Sequence, residues 1–268
     1  MKHGIYFLIA WFTVFLLCQP VPVTERNQLQ LIPRSQLFAL SFEQYNEMRK
    51  QYPQEKGTSN AQIVERVGNN IRSAVGQYLK ENNSEGRIKD FKWEFTLFKD
   101  TMVNAWAMPG GKVGVFTGIL PVTQDENGLA VVMGHEIAHA VAGHGNERLS
   151  QLLLIQLGGI TLQEALKKNS KMTRELALAA FGLGAQVGLM LPYSRLHETE
   201  ADQLGLFFMA LAGYDPRTAV NFWERMMESR TNAPPPEFLS THPSDKARIE
   251  KLQEIMPQAL EYYRRGNQ

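Results

Sequence analysis

The spacing of polar and apolar positions changes along the chain, and the changes mark its elements. Between Ser35 and Tyr52, and again between Asn60 and Leu79, apolar residues recur at helical spacing. Leu37, Leu40 and Tyr45 do so in the first stretch, and Ile63, Val67, Ile71 and Val75 in the second, which predicts two amphipathic helices. Glu81 to Glu85 reads as a turn. Lys92 to Phe98 alternates polar with apolar residues, the pattern of a strand buried on one face. Met102–Ala107 and Lys112–Phe116 flank Pro109-Gly110-Gly111, a hairpin signal.

From Asp125 onward the pattern is helical. The helix holding residues 135–139 is followed by helices over Leu149–Leu166 and Thr173–Leu191, one around Glu198, one from Asp215 to about Arg230 and one from Ser244. Ala233-Pro234-Pro235-Pro236 is a stiff break. The apolar run Leu176–Leu191 is interrupted by Gly182, Gly184 and Gly188 and is too short to span a membrane, so it reads as a core helix or the roof of a cleft. The expected architecture is α+β: a mostly helical body with a small sheet or hairpin beside the helix at 135–139.

Residues 4–18 form an apolar run behind Lys2, the length of a signal-peptide core. We therefore divide the chain into a leader (1–18), a polar, proline-containing linker (19–33) and one globular domain (34–268). Cys18 ends the leader where a lipidated cysteine would stand, although Leu17 is not the small residue such signals prefer; an uncleaved short anchor is the rival. A single cysteine excludes an intramolecular disulfide framework. The net charge is +1 with no long basic run, so nucleic-acid binding has no electrostatic footprint.

The chemistry concentrates in His135-Glu136-Ile137-Ala138-His139. Histidines four apart share one helix face and can reach one ion, and the adjacent Glu136 can take a proton from a metal-bound water. Small and apolar residues surround the pair, so both imidazoles are expected inside, where unpartnered polar groups are costly. Asp125-Glu126 suits the helix N-terminus. One zinc ion is the expected metal, with three protein ligands and a water. Candidates for the third ligand lie in Ser194-Arg195-Leu196-His197-Glu198-Thr199-Glu200-Ala201-Asp202. Glu198 and Asp202 share a face, so Glu198 can bind metal while Asp202 accepts a ligand histidine's second ring N–H. Glu200 and His197 compete for the same role.

At these residues the chain resembles the HtpX-like and CAAX-prenyl-protease-like zinc metallopeptidases, the gluzincins of family M48. Their pattern Ser-Arg-x-x-Glu-x-x-Ala-Asp is matched by Ser194, Arg195, Glu198, Ala201 and Asp202. The resemblance implies Glu198 as third ligand and Asp202 as its orienting neighbour. It implies that Asn104, Ala105, Trp106 and Ala107 form an edge strand that binds substrate backbone. Ser240-Thr241-His242-Pro243-Ser244 with Arg248-Ile249 matches a C-terminal motif, in which His242 either stabilises the tetrahedral intermediate or occupies the open metal position. The opening Pro22-Val23-Thr24-Glu25-Arg26-Asn27-Gln28-Leu29 resembles that of a small exported branch related to a mitochondrial inner-membrane protease, with Glu25 in place of the usual glycine, a change of little consequence in a linker.

Motifs and resemblance together imply a zinc metalloendopeptidase acting on exported, unfolded or misfolded proteins in the cell envelope or periplasm, attached to the membrane through its N-terminus or a lipidated Cys18. The alternative is a latent or non-proteolytic zinc-containing chaperone or assembly factor. A purely structural zinc module would need a fourth strong ligand, and His242 is the obvious candidate.

Overall fold

Four-residue runs of buried side chains identify the centre of the molecule. The computed structural model describes residues 18–22, 24–157, 176, 180, 194–229, 236–243 and 246–268. The strands are β1 (Cys18–Pro20), β2 (Asn27–Leu29), β3 (Gln54–Glu55), β4 (Glu94–Phe98), β5 (Ala105–Met108) and β6 (Lys112–Phe116). The helices are α1 (Arg34–Gln51), α2 (Ser59–Glu81), α3 (Leu120–Thr123), α4 (Glu126–Ala142), α5 (His144–Leu157), α6 (Arg195–Leu211), α7 (Thr218–Ser229), α8 (Glu237–Thr241) and α9 (Lys246–Gly266). The fold is α+β as the sequence predicts.

The main sheet runs β3-β4-β6-β5, with β4 and β6 parallel and the other two pairs antiparallel. Phe95, Thr96, Leu97 and Phe98 are all buried, so β4 has both faces covered rather than one. The alternation sorts these residues between two cores. Phe95, Leu97, Ala105, Ala107, Val113 and Val115 face the core shared with α2 and α4. Phe98, Trp106, Met108 and Phe116 face α1 and α5, where Leu37, Phe38, Tyr45, Leu149 and Leu153 meet them. On α2, Val64, Val67, Ile71 and Val75 are fully buried, each worth about 1.5–3 kcal/mol of transfer free energy.

Two glycines set the distance on which the site depends. A Cβ on Gly134 of α4 would lie 2.9 Å from the Gly205 carbonyl oxygen, and one on Gly205 of α6 would lie 2.8 Å from the His135 nitrogen. The two helices therefore meet backbone to backbone, one residue from His135. Any side chain at either position would separate the helices.

Several boundaries differ from expectation. α5 begins at His144 instead of Leu149, and α7 at Thr218 instead of Asp215, whose carboxylate instead accepts the Arg217 N–H. The stretch expected as a linker forms the antiparallel pair β1–β2, with Val21, Gln28 and Ile32 buried. Short polar strands leave no periodicity, which hides them. The expected helix over Thr173–Leu191 apart from Leu176 and Ala180, the remainder of Leu149–Leu166, the Ala233–Pro235 break and residues 1–17 of the leader lie outside the described residues. Among the described residues no helix is long and apolar enough to cross a membrane.

Glu25 is not inconsequential. It closes the turn between β1 and β2 at φ +51°, in the left-handed region, where a Cβ costs about 1–2 kcal/mol. Glycine forfeits roughly half of that gain through its greater freedom in the unfolded chain. Glu25→Gly is expected to stabilise the protein by about 0.5–1 kcal/mol, a rise in Tm of roughly 1–4 °C by thermal unfolding. An unchanged or lower Tm would show the turn to be unstrained.

Candidate metal centre

Each side chain of the site is placed by an ordinary helix rule. Asp125 caps α4, its carboxylate accepting the Gly128 N–H at 2.8 Å. This starts the helix so that His135, Glu136 and His139 fall on its inner side, all buried. Ser194 caps α6, its hydroxyl accepting the His197 N–H at 3.2 Å. Glu198 then lies in the first turn and Asp202 directly above it. His242 follows the last turn of α8, where its N–H donates to the Phe238 carbonyl. It thus ends a short helix rather than opening the final one.

Four buried atoms converge: His135 Nε2, His139 Nε2, one Glu198 carboxylate oxygen and His242 Nδ1. The His135–His139 separation is 3.1 Å, His135–His242 3.3 Å, His242–Glu198 3.1 Å and His139–Glu198 3.4 Å. A tetrahedral site with bonds of 2.0–2.1 Å has edges of about 3.3 Å. Three imidazole nitrogens and a carboxylate oxygen aimed at one point cannot all be satisfied by hydrogen bonds among themselves, whereas a cation satisfies all four. The residues fit a metal ion.

Electrostatics agree with this geometry. Burial opposes a charge on His135, but its partners Asp202 and Glu198 outweigh burial and lift its pKa to about 9. The site thus draws positive charge. Burial alone would also raise Glu198 and Asp202, yet Arg248 holds Glu198 well below the usual carboxylate range and lowers Asp202. The Arg248 guanidinium donates to both Asp202 oxygens at 2.7 Å, lies 2.8 Å from Glu198 Oε2 and also donates to the Pro243 carbonyl at 3.0 Å. It sits 4.0 Å over the Trp223 ring. Asp202 Oδ1 is 3.0 Å from His135 Nδ1, the placement of an acceptor for that ring's second N–H.

Glu136 is no part of the four-atom cluster. Its carboxylate lies beside it, with Oε1 3.2 Å from His242 Nε2, and the Ala107 N–H favours its charged form. Burial pushes its carboxyl up. This contact ties the site to the sheet, because β5 is an edge strand. Phe116 N–H donates to the Asn104 carbonyl, so in this antiparallel ladder Trp106 and Met108 also bond inward to β6. The backbone groups of Ala105 and Ala107 therefore point away from β6, and both residues are buried. Asn104 itself precedes the strand, and its side-chain oxygen accepts the Ala105 N–H at 2.9 Å. The Trp106 ring packs against Tyr45 and Phe98 on the far face.

Glu200 and His197, the competing ligands, point away from the cluster. Residues 198 and 202 occupy one side of α6 and residues 197 and 200 another. His197 Nε2 lies 3.0 Å from Glu147 Oε2, and Glu200 Oε2 lies 3.0 Å from His144 Nε2. His144 Nδ1 in turn lies 2.8 Å from His139 Nδ1. Arg26 donates to both Glu147 and Glu200, and Thr24 donates to Glu200 at 2.7 Å. The sequence pattern assigns no role to Thr24, Arg26, His144, Glu147 or Trp223, and Arg248 enters it only as a motif position. A signal for His144 is nonetheless present: a third histidine five residues beyond His139, directly after the apolar run Ala140-Val141-Ala142-Gly143. Gly143, at φ +82°, ends α4 in the left-handed conformation and lets α5 begin at once, which turns His144 back toward His139.

Similarity to known proteins runs through the same residues. The family described as Peptidase family M48 matches residues 69–256. The mitochondrial metalloendopeptidase OMA1 of Schizosaccharomyces pombe is 38% identical over 186 residues, 69% of this chain and 53% of that protein. The OMA1 metalloendopeptidase of Homo sapiens is 30% identical over 269 residues, 97% of this chain and 49% of that protein. The beta-barrel assembly-enhancing protease of Yersinia pestis is 29% identical over 218 residues, 78% of this chain and 43% of that protein. The chain spans about half the length of the fission-yeast and human proteins.

Proposed function

The chain belongs to peptidase family M48, and on that premise we propose that it is a zinc-dependent metalloendopeptidase that cleaves unfolded or misfolded proteins exported to the cell envelope. The observation that carries the reading is the convergence of His135, His139 and Glu198 on one point with Glu136 beside it. The relatives, metalloendopeptidases and a beta-barrel assembly-enhancing protease by name, support the reaction class and an envelope setting.

His135, His139 and Glu198 would hold the zinc. When bound there, zinc lowers the pKa of a water and polarises a carbonyl. Glu136 takes the proton of the attacking water and returns it to the leaving amine. Asp202 fixes the ring of His135, and Arg248 fixes Asp202 and Glu198. The outward carbonyls of Ala105 and Ala107, whose N–H groups face Asn104 Oδ1 and Glu136, would take an extended substrate as an added strand, a mode that suits unfolded chains.

His242 makes the fourth corner of the cluster, so we read this arrangement as a resting form in which it fills the position that a water and a substrate carbonyl need. That accommodates latency without a separate non-proteolytic function. The test is cleavage of an unfolded protein by the full chain with and without a zinc chelator, and by His242→Ala. Chelation is expected to abolish cleavage. His242→Ala is expected to raise the rate by roughly 10- to 100-fold, as for an open form populated at roughly 1–10%. Cleavage that survives metal removal would sink the zinc reading. A slower His242→Ala would instead assign His242 to stabilising the tetrahedral intermediate.

A further inference from the structure

We propose that the N-terminal strand pair is part of the metal centre: Arg26 and Thr24, acting through Glu200 and His144, fix the tautomer and orientation of His139 and so set how tightly the metal is held. This rests on the metal reading above and extends it to a segment far from the site in sequence.

Hydrogen-bond directions run one way along the path. Arg26 donates to Glu200 through Nε at 2.9 Å and Nη2 at 3.0 Å, and Thr24 donates to the same carboxylate at 2.7 Å. Three donors keep Glu200 an anion, and a carboxylate anion only accepts. His144 Nε2, 3.0 Å away, must therefore carry a proton and donate it. In a neutral ring that leaves Nδ1 as an acceptor. His139 Nδ1, 2.8 Å from it, must then be the donor. The only remaining lone pair of His139 is on Nε2, the atom that faces the cluster. The tautomer a ligand histidine needs is thus imposed by an arginine three groups away.

The two ligand histidines are oriented by different devices. His135 meets a carboxylate directly, with Asp202 Oδ1 3.0 Å from its Nδ1. His139 meets one at a remove, through an imidazole. His144 is fully buried and stacks on His197 at 4.5 Å, and His197 meets Glu147, whose two oxygens accept from Arg26 Nη1 and Nη2 at 2.8 Å each. The guanidinium fork thus joins both glutamates, a geometry an ammonium group cannot reproduce. Residues that orient metal-binding histidines commonly contribute 10- to 100-fold in affinity.

A mere structural clamp would lower stability on mutation and leave the metal alone, so the test reads the metal. Full-length wild type, Arg26→Gln, His144→Leu, His144→Gln and His139→Ala are compared for zinc affinity against a chromophoric chelator and for the visible spectrum of bound Co²⁺. Circular dichroism checks the fold. Wild type is expected to bind one ion and His139→Ala to lose the most. Arg26→Gln and His144→Leu should bind about 10- to 100-fold more weakly with an altered Co²⁺ spectrum. His144→Gln should stay close to wild type, because its amide can accept from His139 and donate to Glu200. If His144→Leu does not fold, Arg26→Gln and His144→Gln still decide. Unchanged affinity and spectrum in Arg26→Gln would overturn the proposal and leave the metal reading intact. No metal on the wild-type chain would overturn both.

Discussion

Glu136→Gln is expected to lower the rate of peptide hydrolysis by at least about 10²- to 10⁴-fold, the usual contribution of a positioned general base, while leaving the bound metal in place. The substitution conserves shape. A glutamine oxygen still faces the Ala107 N–H, and the packing of β5 against α4 is undisturbed. It also removes none of the four converging atoms, which come from His135, His139, Glu198 and His242. Only the ability to take a proton is lost. Burial pushes the Glu136 carboxyl up, and a base raised from the ordinary carboxylate range toward the working pH transfers protons more effectively. The measurement is hydrolysis of an unfolded protein beside metal content for both chains. Loss of hydrolysis with metal retained assigns the base. Equal rates would exclude Glu136 from the chemistry, and loss of metal would show that it helps hold the ion.

How much of this site the sequence discloses depends on how local each part is. His135, Glu136 and His139 share one helical turn, so their juxtaposition follows from helix geometry alone. Glu198 lies on another helix, and two buried neighbours with ligand chemistry, His197 and Glu200, compete with it. The helical period contains the answer in retrospect: residues 198 and 202 fall on one side of α6, and 197 and 200 on another, each side feeding its own network. Choosing between the sides requires knowing where α4 lies, and that is set by the contact of Gly134 with Gly205. The N-terminal stretch misleads for a different reason. Its polar residues look solvated, but Arg26 and Gln28 bond to groups more than a hundred positions away. Hydropathy cannot distinguish a polar residue in water from one paired inside.

Arg248→Ala is expected to be strongly destabilising, by about 3–5 kcal/mol, because it leaves buried carboxylates without their counter-charge. Three groups depend on this guanidinium: Asp202, bonded through both oxygens, Glu198 and the Pro243 carbonyl next to His242. All but 6% of Arg248 is buried, so water cannot replace it cheaply. For a chain of this size the loss corresponds to a fall in Tm of roughly 10 °C. A bound metal would offset part of the deficit, since Glu198 would then face a cation on its other side. The fall should therefore be larger in metal-stripped protein than in metal-loaded protein. Arg248→Lys should recover only part of it, because an ammonium restores charge without the paired bonds to Asp202 or the planar stack on Trp223. Zinc affinity should drop as well, since a loosened Asp202 no longer fixes His135. Thermal unfolding of both variants with and without zinc is the check. Equal melting temperatures for Arg248→Ala and the unaltered chain would mean that the carboxylates find other partners, and the arginine would lose its place in the centre.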